Sequence, residues 1–390
     1  MNNKLINSNL FDKIANLIEL SRKKISAMAN LTMVYTYFEI GKMIVEDEQD
    51  GNLRAEYAKS VLKELSAKLS EKFGRGFSER NLRNMRQFYI TYSQVQIQQK
   101  PSADLQVSDN LKDVIWQKPS AKSSIFALSW SHYLVLMRIE NPEERRFYEI
   151  EALNQQWSEP QLSRQYHSSL YQRLALSRNK EEVLKLSQEG HTIEKYSDII
   201  KNPLTLEFLG LQVKPEYSEL DLETAILGKL QNFLLELGKG FLFEARQKRF
   251  SFDEEHFYVD LVFYNRLLQC YVIIDLKTDK LVHQDLGQMQ MYVNYYDRHV
   301  KLPHEKPTIG ILLCKEKKDT LVELTLPKDA NIYASEYSLY LPDKKLLQAR
   351  LNQWINEFEN EKGENVNSIS KGNSALKTEI QNNLKGLRYE

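Results

Sequence analysis

The chain is short of the residues that most often announce a mechanism. Its two cysteines, Cys270 and Cys314, both lie in apolar, strand-like runs. That placement reads as small buried hydrophobes, not a disulfide framework or redox pair, and it fits a reducing compartment. The seven histidines include no close pair of the H-E-x-x-H kind, so a histidine zinc site finds no support. There is no G-x-S-x-G elbow, and GRGF (74–77) and GKGF (238–241) lack the full spacing of a phosphate-binding loop. Both read better as helix ends. Neither charge sign is in excess: Lys+Arg and Asp+Glu each number 53, so no global positive field draws the protein to phosphates, and any nucleic-acid contact must come from local patches. No window reaches the roughly 18 apolar residues of a membrane span. The opening MNNKLINSNLFDKI also lacks the apolar core of a secretory signal. The expectation is a cytoplasmic protein with no membrane partner.

What is present is ordinary globular material, with 42% hydrophobic and 27% charged residues over 390 positions, enough for two or three domains. Residues 11–92 carry apolar positions at helical spacing with few breaks. The segment 54–73 should end at Gly74. A new helix should start after Ser78, with Phe77 and Leu82 as a hydrophobic staple, and the short junction resembles a helix-turn-helix. On SERNLRNMRQFY (78–89), Leu82, Met85 and Tyr89 share one face. Arg80, Arg83, Asn84 and Gln87 cluster near the opposite one, flanked by Arg86. Arginine and amide side chains on one exposed helix face are the types that reach phosphates and purine edges, although a solvated surface helix has the same look.

From 93 to 124 the pattern decays into a Gln- and Ser-rich stretch with QKPSA at 99–103 and again at 117–121, which reads as a linker or insertion. Helical periodicity returns at 125–139; Asn141-Pro142 opens another helix, and Ser158 with Gln161 caps one more. The texture then changes near 185–200. The expected organisation is a helical, DNA-binding-like domain over 10–180, an α/β domain over 200–350, and a polar tail over 360–390. Within the second domain the pattern predicts a helix at 219–237, strands at 241–250, 257–264 and 269–277, a helix at 284–296, and strands at 308–314 and 331–340.

The most informative stretch is DLVFYNRLLQCYVIIDLK (260–277). Side chains alternate along a strand, so Asp275 and Lys277 leave one face together. A four-residue turn before Cys270 sets Asp260 directly across from Asp275. A two-residue turn at Asn265-Arg266 keeps the face but offsets the acids, and a three-residue turn breaks the arrangement. Facing carboxylates about 5 Å apart repel unless a cation lies between them, and a hard divalent ion answers that need. A surface Asp–Lys pair is the bland reading of D-x-K alone, but YVIID (271–275) is too apolar for an exposed edge.

An acid-bearing helix, then D, then (D/E)-x-K on the next strand resembles the PD-(D/E)XK nuclease superfamily. FYVDLVFYNRLLQCYVIIDLK, GQMQMYVNYYD and PTIGILLCK, with GFSERNLRNMRQFY, LSWSHY and FYE…W in the N-terminal half, resemble more closely its bacterial YhcG-like family. The resemblance implies a restriction-endonuclease-like α/β domain, a mixed sheet flanked by helices, behind a mostly α-helical domain. It implies a Mg²⁺- or Mn²⁺-dependent nuclease acting on DNA, with Asp260, Asp275 and Glu223 as metal-binding acids, Lys277 as the catalytic lysine and Gln288 beside them. Tyr292, one turn after Gln288, would contact substrate or pack. This chain has Asp275 where the family more often has glutamate, which draws the carboxylate back by about one methylene and bears on metal geometry, not fold. Cutting two strands would favour a homodimer, and the N-terminal helices offer surface for protein partners. A silent DNA-binding protein or an assembly scaffold on the same fold is the competing reading. The clustered acids argue against the first of these, since a binding module has no need of carboxylates beside phosphates.

Overall fold

The first proline of the chain is Pro101, and three long helices precede it: α1 (Ser8–Asp50), α2 (Ala55–Phe73) and α3 (Glu79–Gln98). The computed structural model describes residues 8–50, 55–98, 126–176, 180–201, 203–211, 217–252, 254–327 and 329–353. They divide into two compact units, between Ser163 and Arg164.

In the first unit, α2 stops at Gly74, whose φ of 81° takes the left-handed turn that closes a helix, its N–H bonded to Ser70 O at 3.0 Å. Ser78 Oγ then accepts from Asn81 N at 3.3 Å to start α3. The buried side of α3 is Leu82, Met85 and Phe88, with Tyr89 half-buried against Phe38. Phe88 is therefore the core residue that the sequence face left out. Its ring meets those of Phe38, Phe126, Trp130 and Tyr133. A Cβ at Gly41 would lie 2.1 Å from Met85 O, so α1 and α3 approach at a point where only glycine fits. The expected linker at 93–124 begins later than its composition implied, because α3 runs on through Gln98. Residues 99–125 of it, like the 360–390 tail, lie outside the described residues. The helix expected at 125–139 is shorter, α4 (Trp130–Leu136). After it come α5 (Pro142–Asn154), capped by Asn141 Oδ1 accepting from Glu144 N at 2.9 Å, and α6 (Glu159–His167).

The division between units falls inside α6, earlier than the change of texture near 185–200, and Arg164 opens the second unit. Arg164, together with Arg173 on α7 (Leu170–Leu176), converges on Glu236, which is 0% exposed. Arg173 Nη1 donates to Glu236 at 2.6 Å, Arg164 Nη1 at 3.1 Å and Thr205 N at 3.0 Å. Burial opposes ionisation of Glu236, but Arg173, Lys201 and Arg164 override it and hold its carboxyl down at about 2. Helix α8 (Lys180–Glu189) follows.

The second unit is built on one mixed sheet: β1 (Leu204–Thr205), β2 (Phe241–Phe252), β3 (Glu255–Asn265), β4 (Cys270–Leu276), β5 (Ile309–Cys314) and β6 (Ile332–Ser338), in the order β1-β6-β5-β4-β3-β2. From β1 to β4 neighbours run parallel; β3 and β2 are antiparallel. The expected single helix at 219–237 is two, α9 (Glu219–Gly228) and α10 (Leu230–Leu237), broken at Lys229 with φ −128° and ψ 31°. With α11 (His283–Tyr295) and α12 (Asp319–Thr325) these helices cover both faces. Val272, Ile274 and Leu276 of β4 join one core with Leu222, Ile226 and Phe233, while Ile273 joins the other with Leu286, Met289 and Tyr292. Strand β4 is thus buried on both sides, as its near-continuous apolar run requires. Both cysteines are buried, and burial pushes their thiols up, to about 12 for Cys270 and about 11 for Cys314. Among the described residues, no helix is long and apolar enough to cross a membrane.

Candidate active site

The site starts from a turn. Asn265 pairs with Cys270 and Leu261 with Ile274, so residues 266–269 form the four-residue connection. Asn265 Oδ1 holds that length by accepting from Leu267 N at 3.0 Å and Leu268 N at 3.1 Å. One step beyond Leu261 and Ile274 stand Asp260 and Asp275. There the backbone ladder between β3 and β4 gives way to a side chain: Asp260 Oδ2 accepts from Leu276 N at 2.8 Å. Asp275 pairs on its other side with Leu312 of β5, and Lys277 N donates to Leu313 O at 2.7 Å. The acids stand where a central strand is released from one neighbour and kept by the other.

Lys277 Nζ lies 2.8 Å from Asp275 Oδ2 and 3.7 Å from Glu219 Oε2. The contact with Asp275 is a close, buried ion pair, and Lys277 is the partner of this oxygen. Burial first, and the neighbouring Asp260 second, raise the Asp275 carboxyl to about 7 against the pull of Lys277. Burial works against the Lys277 ammonium, but Asp275, Glu219 and Asp285 outweigh it and hold it above the ordinary lysine range.

Glu223 projects from α9 and is 1% exposed. Arg246 Nε approaches Glu223 Oε1 at 3.2 Å as an ion pair and not a hydrogen bond. Gln247 Nε2 donates both to Glu223 Oε2 and, at 3.0 Å, to Asp260 Oδ1. Gln288 donates to the Tyr292 hydroxyl on α11. Tyr292 is buried, with its ring edge-to-face on Phe250 at 5.5 Å. Burial raises its hydroxyl, with Asp275 and Asp260 adding to the shift.

Asp260, Asp275, Lys277 and Glu223 are thus linked by direct contacts or through one glutamine. Sequence reasoning missed Glu219, Arg246 and Gln247. Glu219 stood one helical turn before Glu223, a legible signal; the two β2 residues had none. Among the described residues, no three acid, histidine or cysteine side chains close into a ready cage for an ion. The donor set itself fits a hard divalent cation. It consists of carboxylate oxygens, two of them buried and met only by the ion pairs with Lys277 and Arg246, on acids of which Asp260 and Asp275 repel one another.

In the first unit the candidate nucleic-acid residues separate into two groups. Arg83 is paired to Glu79 within α3, and Arg86 makes a two-pronged contact with Glu48 of α1, at 2.9 and 2.7 Å. Arg80, Asn84 and Gln87 instead line a groove of about 420 Å³ with Asn81, Leu134 and Arg138.

Residues 197–352 match the YhcG PDDEXK nuclease domain and residues 13–173 the DUF1016 N-terminal domain. The chain is 41% identical over 351 residues to an Escherichia coli (strain K12) protein named "Putative nuclease YhcG", covering 88% of this chain and 92% of that one. Among solved structures, it is similar at 17% identity to a repair endonuclease from Pyrococcus abyssi, with a TM-score of 0.22 over 34% of this chain and 50% of that one. It is also similar to an EndoMS–dsDNA complex, at 17% identity and a TM-score of 0.23 over 34% of this chain and 51% of that one. Scores this low bear on neither substrate nor mechanism. The sheet, the acid-bearing helix and the D…D-x-K hairpin agree with the family match over both halves, and the chain belongs to the YhcG family, a DUF1016 N-terminal domain joined to a PDDEXK nuclease domain.

Proposed function

We propose that the protein is a divalent-metal-dependent nuclease that hydrolyses phosphodiester bonds in DNA. The observation that supports this most is the convergence of Glu223, Asp260, Asp275 and Lys277 where β3 parts from β4. Glu223, Asp260 and Asp275 would hold Mg²⁺ or Mn²⁺, which when bound supplies charge for a phosphate oxygen and lowers the pKa of water. Lys277 remains cationic through physiological pH, since its neighbouring acids keep its proton on. In that state it serves to orient the attacking water and to offset charge growing on the phosphate, and is not a ready general base. Tyr292 and Gln288 brace one another on α11 and wall the site on the side of that helix.

The first unit supports the substrate assignment through its groove. Arg80 and Arg138 supply charge for phosphates, and Asn84 and Gln87 supply amide donors and acceptors for base edges or sugars. Arg83 and Arg86 are already matched to acids, and their part in binding is secondary. We place the protein in the cytoplasm.

The deciding experiment is cleavage of linear, supercoiled, single-stranded and branched DNA and of RNA with Mg²⁺ or Mn²⁺, with Lys277→Ala alongside. Cleavage that requires the ion, prefers DNA and is lost in the variant supports the assignment. Silence of the wild type on every substrate, with DNA still bound, would replace it with a binding module. Cleavage unchanged in Lys277→Ala would remove the site from the mechanism.

A further inference from the structure

Strand β2 departs from regular pairing beside the acids. Its register with β3 shifts by one residue between Phe243 and Ala245, a bulge, after which Arg246 faces Leu261 and Lys248 faces Val259. Gln247, between them, stands opposite Asp260, and its φ of 43° is in the left-handed region inside an otherwise extended strand. A side-chain-bearing residue keeps such a conformation only where its surroundings impose it, and such residues gather at functional sites. What surrounds Gln247 is the pair of acids: its one NH₂ group donates to Glu223 Oε2 and to Asp260 Oδ1.

That amide nitrogen, the positive end of the group's dipole, therefore sits between two carboxylates at the place where charge balance asks for a cation. Glu223 is on a helix and Asp260 on a strand, and no direct contact joins them among the bonds described; the amide is the bridge. A divalent ion and the NH₂ group draw on the same two oxygens. The other corner of the same amide is an acceptor, so a half-turn exchanges donor for acceptor without moving the backbone. A lysine there would be a permanent rival to the ion, and an alanine no rival at all.

We propose that Gln247 is a positioning residue of the ion site, its amide competing with the divalent cation for Glu223 and Asp260 and so setting how tightly the cation is held. The inference rests on the metal-dependent reading of the site. It makes the glutamine a brake on ion binding and, at the same time, the clasp that keeps a buried acid and a half-buried one in register in the ion-free protein.

The test measures Mn²⁺ binding by titration calorimetry on the full chain without nucleic acid, and melting temperature in EDTA, for wild type, Gln247→Ala and Gln247→Lys. Freed of two hydrogen bonds to carboxylates, Gln247→Ala should bind Mn²⁺ about tenfold tighter and melt a few degrees lower in EDTA. Gln247→Lys, which keeps a donor between the acids, should melt near wild type in EDTA and bind Mn²⁺ at least about tenfold weaker. Unchanged Mn²⁺ affinity in Gln247→Lys would overturn the inference even should the alanine variant fold poorly, since the ion would then not draw on these two acids. If the glutamine had only a structural role, Gln247→Ala would melt lower and bind Mn²⁺ as the wild type does. That result, or weaker binding in Gln247→Ala, as for a direct ligand, overturns the inference while the metal-dependent reading stands. Failure of the wild type to bind Mn²⁺ overturns both.

Discussion

Replacing Glu236 by glutamine tests the electrostatic reasoning at its clearest point, because the change preserves shape and removes one charge. In the folded protein the carboxyl is held at about 2, against an ordinary value of 4.5. That depression, at 1.36 kcal/mol per pKa unit, corresponds to roughly 3 kcal/mol of stability at pH 7. The folded pKa is the depressed one, so this contribution is present above 4.5 and is lost as pH falls toward 2. Working the linkage through, most of it remains at pH 4 and less than half at pH 3. A neutral amide at this position would also leave Arg173 buried without a counter-charge, while Arg164 keeps Glu207 at 2.9 Å. That pushes the loss at pH 7 toward the 3–5 kcal/mol typical of a broken buried pair. Urea unfolding of wild type and Glu236→Gln, followed by circular dichroism at pH 7 and pH 4, reads the effect as a difference in the second unit's transition. The variant should be weaker at pH 7, and the gap should narrow by about 1 kcal/mol at pH 4. A gap below about 1 kcal/mol at pH 7, or one that widens in acid, would refute the reasoning.

Arg80→Ala with Arg138→Ala should weaken DNA binding and lower its salt slope by roughly two, as measured by fluorescence anisotropy across salt concentrations. Arg83→Ala with Arg86→Ala should change that slope little; equal slopes for the two doubles would place the paired arginines on the nucleic acid as well. Asn265→Ala strips two backbone N–H groups of their acceptor, and should lower the second unit's stability by about 1–3 kcal/mol. An unmoved urea midpoint would show that the turn holds itself. Gly41→Val puts atoms into the Met85 carbonyl and should selectively expose the first unit to limited proteolysis, while Lys277-dependent chemistry stays with the second unit. Resistance equal to wild type would mean the helices can separate there at little cost.

Much of this was legible in the chain, and the residues show why. Asp275 and Lys277 could be set on one face because alternation along a strand is a local rule, whereas Asp260 falls opposite Asp275 only with a four-residue turn, a length the sequence left open and the strand register supplies. The helix ends at Gly74 and Ser78 announced themselves through residue types with local conformational reasons. What escaped depends on partners distant in sequence or on shifts that leave no mark. Arg86 looked free for a phosphate, but its partner Glu48 is 38 residues away on another helix. Gln247 could not be aligned with Asp260 because the bulge between Phe243 and Ala245 moves every later residue of β2 by one. The break at Lys229 does follow a glycine, Gly228, but the apolar spacing runs on past it, and the two-residue β1 exists only through its pairing with Tyr337 and Ser338.

The connection at 266–269 bears on which changes this chain can tolerate. Gly240, with φ 84°, lies so close beneath it that an added Cβ would be 2.9 Å from both Asn265 Oδ1 and Leu267 Cγ. The hairpin is thus gripped from outside as well as capped from within. Substitutions at Arg266 or Leu267, which are exposed, leave the distance between the two acids along the chain untouched. A single inserted or deleted residue sends one acid to the opposite face of the sheet. Changes of identity and changes of length are therefore unequal here: the exposed loop positions tolerate other side chains, while a change in residue count displaces an acid.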